Sequence, residues 1–128
     1  MSAERPVRVL LVEDNEVYRD ALAFLLARRD DVQLVGAVST GGDAAAACDE
    51  LEADVVVIDY RLPDVNGDEA AKAVRVRCPA ASFVFLSASV GEDELAAARG
   101  SGWDLVLKSD GVDVLVDAIL IAPRRIRA

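Results

Sequence analysis

The stretch Val55-Val56-Val57-Ile58-Asp59-Tyr60-Arg61-Leu62-Pro63-Asp64-Val65-Asn66-Gly67 decides the fold. It opens on an unbroken apolar run with no polar alternation. Such a run suits a strand covered on both faces, as in a parallel sheet. Asp59 follows at once, at a buried strand end where an unpaired charge is costly. Pro63 fixes a turn, and Gly67 frees the backbone before a stretch with helical spacing. The loop between them can present a backbone carbonyl to a cation, or it can be an ordinary strand-to-helix connection.

The alternation continues in both directions. Val7–Val12 and Gln33–Val38 read as strands upstream, Phe83–Ser87 and Leu105–Leu107 downstream. Helical spacing predicts a first helix over Asn15–Arg29, with Tyr18, Ala21, Leu22 and Leu25 on one stripe. A second covers about Gly42–Leu51, where Ala44 to Ala47 favour helix. A third runs over about Gly67–Arg77 and ends before Pro79. A fourth starts near Gly91 and is closed by Gly100 and Gly102. The fifth, about Gly111–Ile121, gathers Val112, Leu115, Val116 and Ile119, and Pro123 stops it. A succession of strand–helix units predicts an α/β domain, a parallel sheet with helices on both faces. The 128 residues suit one domain, expected over residues 1–122. Residues 123–128 are then either a frayed terminus or the start of a linker.

Composition narrows the function classes. Hydrophobic residues are 53% of the chain, enough for a packed core. Lys and Arg number 14 against 23 Asp and Glu, a net charge of −9, which argues against a nucleic-acid-binding surface. The apolar run Val9–Val12 is closed by Glu13 and Asp14, too short for a signal peptide, and no stretch is long enough to span a membrane. Histidine is absent, which removes Ser-His-Asp and Cys-His catalysis and all His-ligated metals. Cys48 and Cys78 lack metal-ligand spacing and read as reduced thiols of a cytoplasmic protein.

In open α/β sheets, chemistry gathers at the carboxyl ends of the strands. The polar residues that follow the apolar runs are Glu13 and Asp14, Asp59, Ser87 and Lys108. Each has a plain reading alone. Glu13-Asp14 could cap the first helix, Ser87 could simply end a strand, and Lys108 could protect an edge strand. Agreement at all these strand ends is what points to a site. Converging carboxylates repel one another, and a hard divalent ion such as Mg²⁺ would resolve that. An aspartate beside such an ion can attack phosphorus, with the lysine and hydroxyl neutralising the phosphoryl oxygens.

These residues resemble the response-regulator receiver family from about Val7 to Ile121. Its acceptor motif, Asp-x-x-Met/Leu-Pro-x-x-x-Gly, appears as Asp59 to Gly67, its acidic pair as Glu13-Asp14, its Ser/Thr-Ala step as Ser87-Ala88 and its lysine as Lys108. The resemblance implies a flavodoxin-like (βα)5 doubly wound fold with strand order 2-1-3-4-5. It implies that Asp59 accepts a phosphoryl group, and that Asp14 and Asp59 bind Mg²⁺ directly, with the Arg61 backbone carbonyl as a further ligand and Glu13 acting mostly through water. Ser87 and Lys108 would contact the phosphoryl oxygens, and Ser87, Ala88 and the position of Leu105 would form the switch region. The implied donor is a phosphohistidine on a sensor kinase or phosphotransfer protein. Homodimerisation through the fourth helix, fifth strand and fifth helix is implied as well, as is a DNA-binding output segment elsewhere. Val32-Gln33-Leu34-Val35-Gly36, and the lack of proline after Lys108, look like the NarL/FixJ branch.

One position departs from the pattern. The family usually carries Tyr or Phe three residues before the lysine, and here stands Leu105, with Trp103 the nearest aromatic. The ring-rotation part of the switch is thereby put in question. Three other readings compete with this one. A haloacid-dehalogenase-type phosphatase needs a second carboxylate two residues after its aspartate, where Arg61 stands. An FMN module needs a phosphate-cradling loop after the first strand, where Glu13-Asp14 would repel phosphate. A receiver-like interaction module that works without phosphorylation is left open by Leu105.

Overall fold

The computed structural model describes residues 5–89 and 91–125. In chain order its strands are β1 Val7–Val12, β2 Val32–Val38, β3 Val55–Asp59, β4 Ser82–Ser87 and β5 Asp104–Leu107. The helices that follow them are α1 Glu16–Leu26, α2 Ala44–Leu51, α3 Gly67–Arg77, α4 Glu92–Ser101 and α5 Val112–Arg125. All five strands are parallel, in the order β2-β1-β3-β4-β5, as expected.

The strands that read as unbroken apolar runs are those that face protein on both sides. Val55 and Val57 of β3 join one core with Val9 and Leu11, capped by Leu22 and Leu26 of α1 and Leu115, Val116 and Ile119 of α5. Val56 and Ile58 point the other way, with Leu10, Val12, Phe83 and Phe85, under Cys48 of α2, Val74 of α3 and Ala98 of α4. A period of two thus divides a continuous apolar run between two cores. Phe83 meets Trp103 edge to face at 5.5 Å, and Phe85 meets Tyr60 likewise at 6.5 Å.

Helix ends differ from expectation in three places. α1 stops at Leu26 rather than Arg29, and it buries Leu22 and Leu26 while Ala21 and Leu25 face solvent. Its start is set by Asn15, whose side chain accepts the Tyr18 amide at 2.9 Å. Asp14 therefore does not cap it. α4 continues through Gly100 and closes on Gly102 at φ +82°, a left-handed turn that glycine takes at least cost. α5 passes through Pro123 to Arg125. Proline gives up one backbone bond, but buried Ala122 (2% exposed) keeps that last turn against the sheet.

Cys48 is buried, and burial pushes its thiol up to about 12, with the neighbouring Cys78 thiol adding to the effect. Iodoacetamide at pH 8 is therefore expected to leave Cys48 unmodified in the native protein and to label it only in urea. Peptide mass mapping checks this, and rapid native labelling of Cys48 would contradict its burial.

Candidate functional site at the carboxyl ends of β1 and β3

The chain moves from β1 outward to β2, then returns past β1 to β3, so the strand order reverses between β1 and β3. That reversal opens a crevice at the strand ends, where ligands bind in such sheets. Glu13 and Asp14 leave β1 at this edge, and Asp59 ends β3 beside them. One carboxylate oxygen from each lies within 4.8 Å of the others. Glu13 is wholly buried and Asp59 7% exposed, whereas Asp14 faces solvent.

Lys108, at the end of β5, reaches across to this cluster. Its Nζ stands 2.8 Å from Asp59 Oδ2 and 2.8 Å from Glu13 Oε1. It also lies 4.7 Å from the centre of the Tyr18 ring, a cation–π contact. Burial acts to lower the lysine's pKa, but Asp59 and Glu13 outweigh it and hold the ammonium above its ordinary range. Burial raises the Glu13 carboxyl, against the opposing pull of Lys108 and the Asn15 amide, with the Asp59 charge adding to the rise. Glu13 Oε2 accepts that amide at 3.0 Å, so both Glu13 oxygens face protein donors or cations.

The loop that follows β3 is held from several sides. Asp59 Oδ1 accepts the Arg61 amide at 3.0 Å. Asp64 accepts the amides of Gly41 and Gly42 at 2.9 and 2.8 Å, which ties this loop to the start of α2. Those two amides hold the Asp64 carboxyl below its ordinary range. A Cβ on Gly67 would fall 2.7 Å from the Asp59 carbonyl and 2.9 Å from Tyr60 Cα. Backbone cannot yield there as a side chain would, so Gly67→Ala is expected to cost about 1–3 kcal/mol, read from the urea midpoint.

Ser87 ends β4, and its hydroxyl is engaged within its own loop. Its hydroxyl donates to the Ser89 carbonyl and accepts the Ser89 amide at 3.3 Å, closing a small turn of its own. Ala88 is exposed beside it. Leu105 is half-buried opposite Phe85 of β4, on the α3–α4 side of the sheet. The Arg61 guanidinium points to α4, where it pairs with Glu94 at 3.3 Å. Reading the chain alone missed Tyr18 as a neighbour of Lys108 and Glu94 as a buried acid. The one looks like core spacing, and the other like an ordinary acid in a first helical turn.

Carboxylates bridged by a lysine at the switch point of a doubly wound sheet form a site suited to a divalent cation and an anionic ligand. The sequence profile of the response regulator receiver domain family matches residues 9–120. The response regulator protein VraR of Staphylococcus saprophyticus is 30% identical over 115 residues, 89% of this chain and 55% of VraR. Among solved structures, the response regulator domain of Thermotoga maritima CheB is 26% identical, with a TM-score of 0.81 over 94% of this chain and 98% of that one. A LuxR-family two-component response regulator from an Aurantimonas species is 28% identical, with a TM-score of 0.83 over 93% and 86%. The chain belongs to the response-regulator receiver family. It spans about half the length of the curated relatives it matches.

Proposed function

We propose that Asp59 accepts a phosphoryl group from a phosphohistidine on a sensor kinase or phosphotransfer protein, and that this switches an output or partner interaction. The observation that carries the reading is the placement of Asp59 between the Glu13–Asp14 pair and the Lys108 ammonium. A carboxylate oxygen of Asp59 attacks phosphorus, the P–N bond breaks, and the departing imidazole nitrogen takes the electron pair and a proton. Water later attacks the phosphorus of the acyl phosphate, the P–O bond breaks, and the Asp59 carboxylate and inorganic phosphate are released. The domain is thus consumed and restored once per signal and does not turn over external substrates.

The donor set suits Mg²⁺: hard oxygens, few carboxylates and an exposed side. Asp14, Asp59 and the Arg61 carbonyl would hold it directly, and Glu13 mostly through water, its own oxygens being engaged by Lys108 and Asn15. Bound there, the ion would offset the carboxylate charge and polarise the phosphoryl oxygens. Lys108 already stands at Asp59 and keeps its charge to meet them. Ser87 must turn its hydroxyl out of the Ser89 contact to join, which moves the loop at Ala88.

Residues 1–122 are read as the receiver and 123–128 as a tail or linker start, in a cytoplasmic protein of the NarL/FixJ type. A DNA-binding output segment belongs to this reading, since the chain spans about half the length of the response regulators it matches. So does pairing of two copies through α4, β5 and α5. Leu105 favours a second reading, an interaction module that works unphosphorylated. Incubation with Mg²⁺ and acetyl phosphate, followed by intact mass, separates the two. Gain of one phosphoryl mass supports the first, and no gain, with no response to beryllofluoride, supports the second.

A further inference from the structure

Glu94 is a buried carboxylate held by one cation that comes from the acceptor loop. Its side chain is 5% exposed, and the Arg61 guanidinium, itself 62% exposed, lies 3.3 Å away. The carboxylate is tucked against the first turn of α4, under the backbone of Gly91. A Cβ at Gly91 would sit 2.8 Å from Glu94 Oε1. Arg61 in turn is fixed to the acceptor, since its amide donates to Asp59 Oδ1 at 3.0 Å. One residue therefore touches the acceptor with its backbone and α4 with its side chain.

We propose that Glu94 is a positioning residue that holds the Arg61 guanidinium away from Asp59 in the resting protein, and that an arriving phosphoryl group takes the guanidinium from it. The inference rests on Asp59 being the acceptor. A phosphoryl group carries nearly two negative charges in place of the one on the Asp59 carboxylate, and brings strong acceptor oxygens two residues from Arg61, where the guanidinium can pair with it in a fork. Glu94, once without its cation, is a buried charge with no other cation beside it among the described residues, and is driven toward water. That movement displaces the first turn of α4. The device needs no aromatic ring at Leu105, and it sends the signal to α4 through a change of ionic partner.

The two partners are expected to act with opposite sign on the phosphorylated state. Arg61→Ala removes the guanidinium from the phosphoryl group and shortens the acyl phosphate lifetime by about threefold to tenfold. Glu94→Gln removes the competitor and lengthens it by a similar factor. Gly91→Ala, whose φ of −91° suits alanine, pushes the Glu94 carboxylate aside and is expected to lengthen it as well. In the unphosphorylated protein all three variants should speed amide exchange across residues 92–101, by about tenfold. Arg61→Lys should recover part of the lifetime. The lifetimes are read as loss of phosphoryl mass after acetyl phosphate is removed, and exchange by mass spectrometry.

A pair that is merely structural shifts the lifetime in the same direction from both sides, and that result overturns the proposal. Unchanged lifetimes overturn it too. A wild-type protein that gains no phosphoryl mass refutes the acceptor reading instead. The resting contact is then judged by amide exchange alone, and exchange at the wild-type rate in Glu94→Gln and Gly91→Ala refutes it.

Discussion

Asp59→Asn is expected to take up no phosphoryl group from acetyl phosphate under conditions that load the wild type to completion. The amide has no anionic oxygen with which to attack phosphorus, and it weakens the donor set for a divalent ion. The same substitution should raise stability in metal-free buffer. Glu13, Asp14 and Asp59 place carboxylate oxygens within 4.8 Å of one another, and Lys108 is the ammonium between two of them. Removing one carboxylate leaves Lys108 paired with buried Glu13 and lowers the repulsion, a gain of about 1 kcal/mol by surface-like screening. The stabilisation that Mg²⁺ gives the wild type should shrink in the variant. Urea midpoints with and without Mg²⁺ read both effects, and intact mass reads the first. Uptake of phosphoryl mass by the asparagine variant would place the acceptor elsewhere.

Lys108→Ala carries the second large effect, with the opposite sign on stability. Its side chain is 19% exposed, and its ammonium compensates Glu13, which is wholly buried. Taking away one member of a buried ionic group leaves an uncompensated charge, at about 3–5 kcal/mol when fully buried. Partial exposure of the lysine and of Asp14 reduces this to about 2–3 kcal/mol at pH 7. Millimolar Mg²⁺ should recover more stability in this variant than in the wild type, because a second cation can take up the vacated role. Acceptor chemistry should slow by about a hundredfold, the usual loss when one preorganised charge is removed from developing oxyanions. Equal stability of Lys108→Ala and wild type in metal-free buffer would mean that the two contacts of 2.8 Å contribute nothing net.

The strands were legible because burial on both faces writes itself into the chain as runs such as Val55 to Ile58 and Phe83 to Leu86. The acids and the lysine of the site were legible for a related reason, each standing at the end of such a run. Contacts between distant segments were not. Arg61 and Glu94 form a pair across 33 positions, and no local periodicity announces it. Ser87 was read from its place at a strand end, yet its hydroxyl closes on Ser89, a choice made by the loop and not by the strand. The first helix shows the same limit. Its apolar positions allow several stripes, and the Asn15 cap and the neighbouring sheet select the one that buries Leu22 and Leu26. Pro123 was read by its local habit of ending helices, and packing of Ala122 overrode that habit.

Trp103 is the one tryptophan of the chain, 8% exposed, and it stands between the end of α4 and the start of β5, edge-on to Phe83. Near-ultraviolet emission excited at the indole band therefore arises from a single point, on the α3–α4 side of the sheet at the start of β5 and away from the acid cluster. Any motion that passes down α4 changes the solvent access and ring neighbours of that one fluorophore, while chemistry confined to the acceptor leaves it dark to the change. The protein thus carries an intrinsic optical label that separates events at the acid cluster from motion of α4, with stopped-flow time resolution and without any added dye.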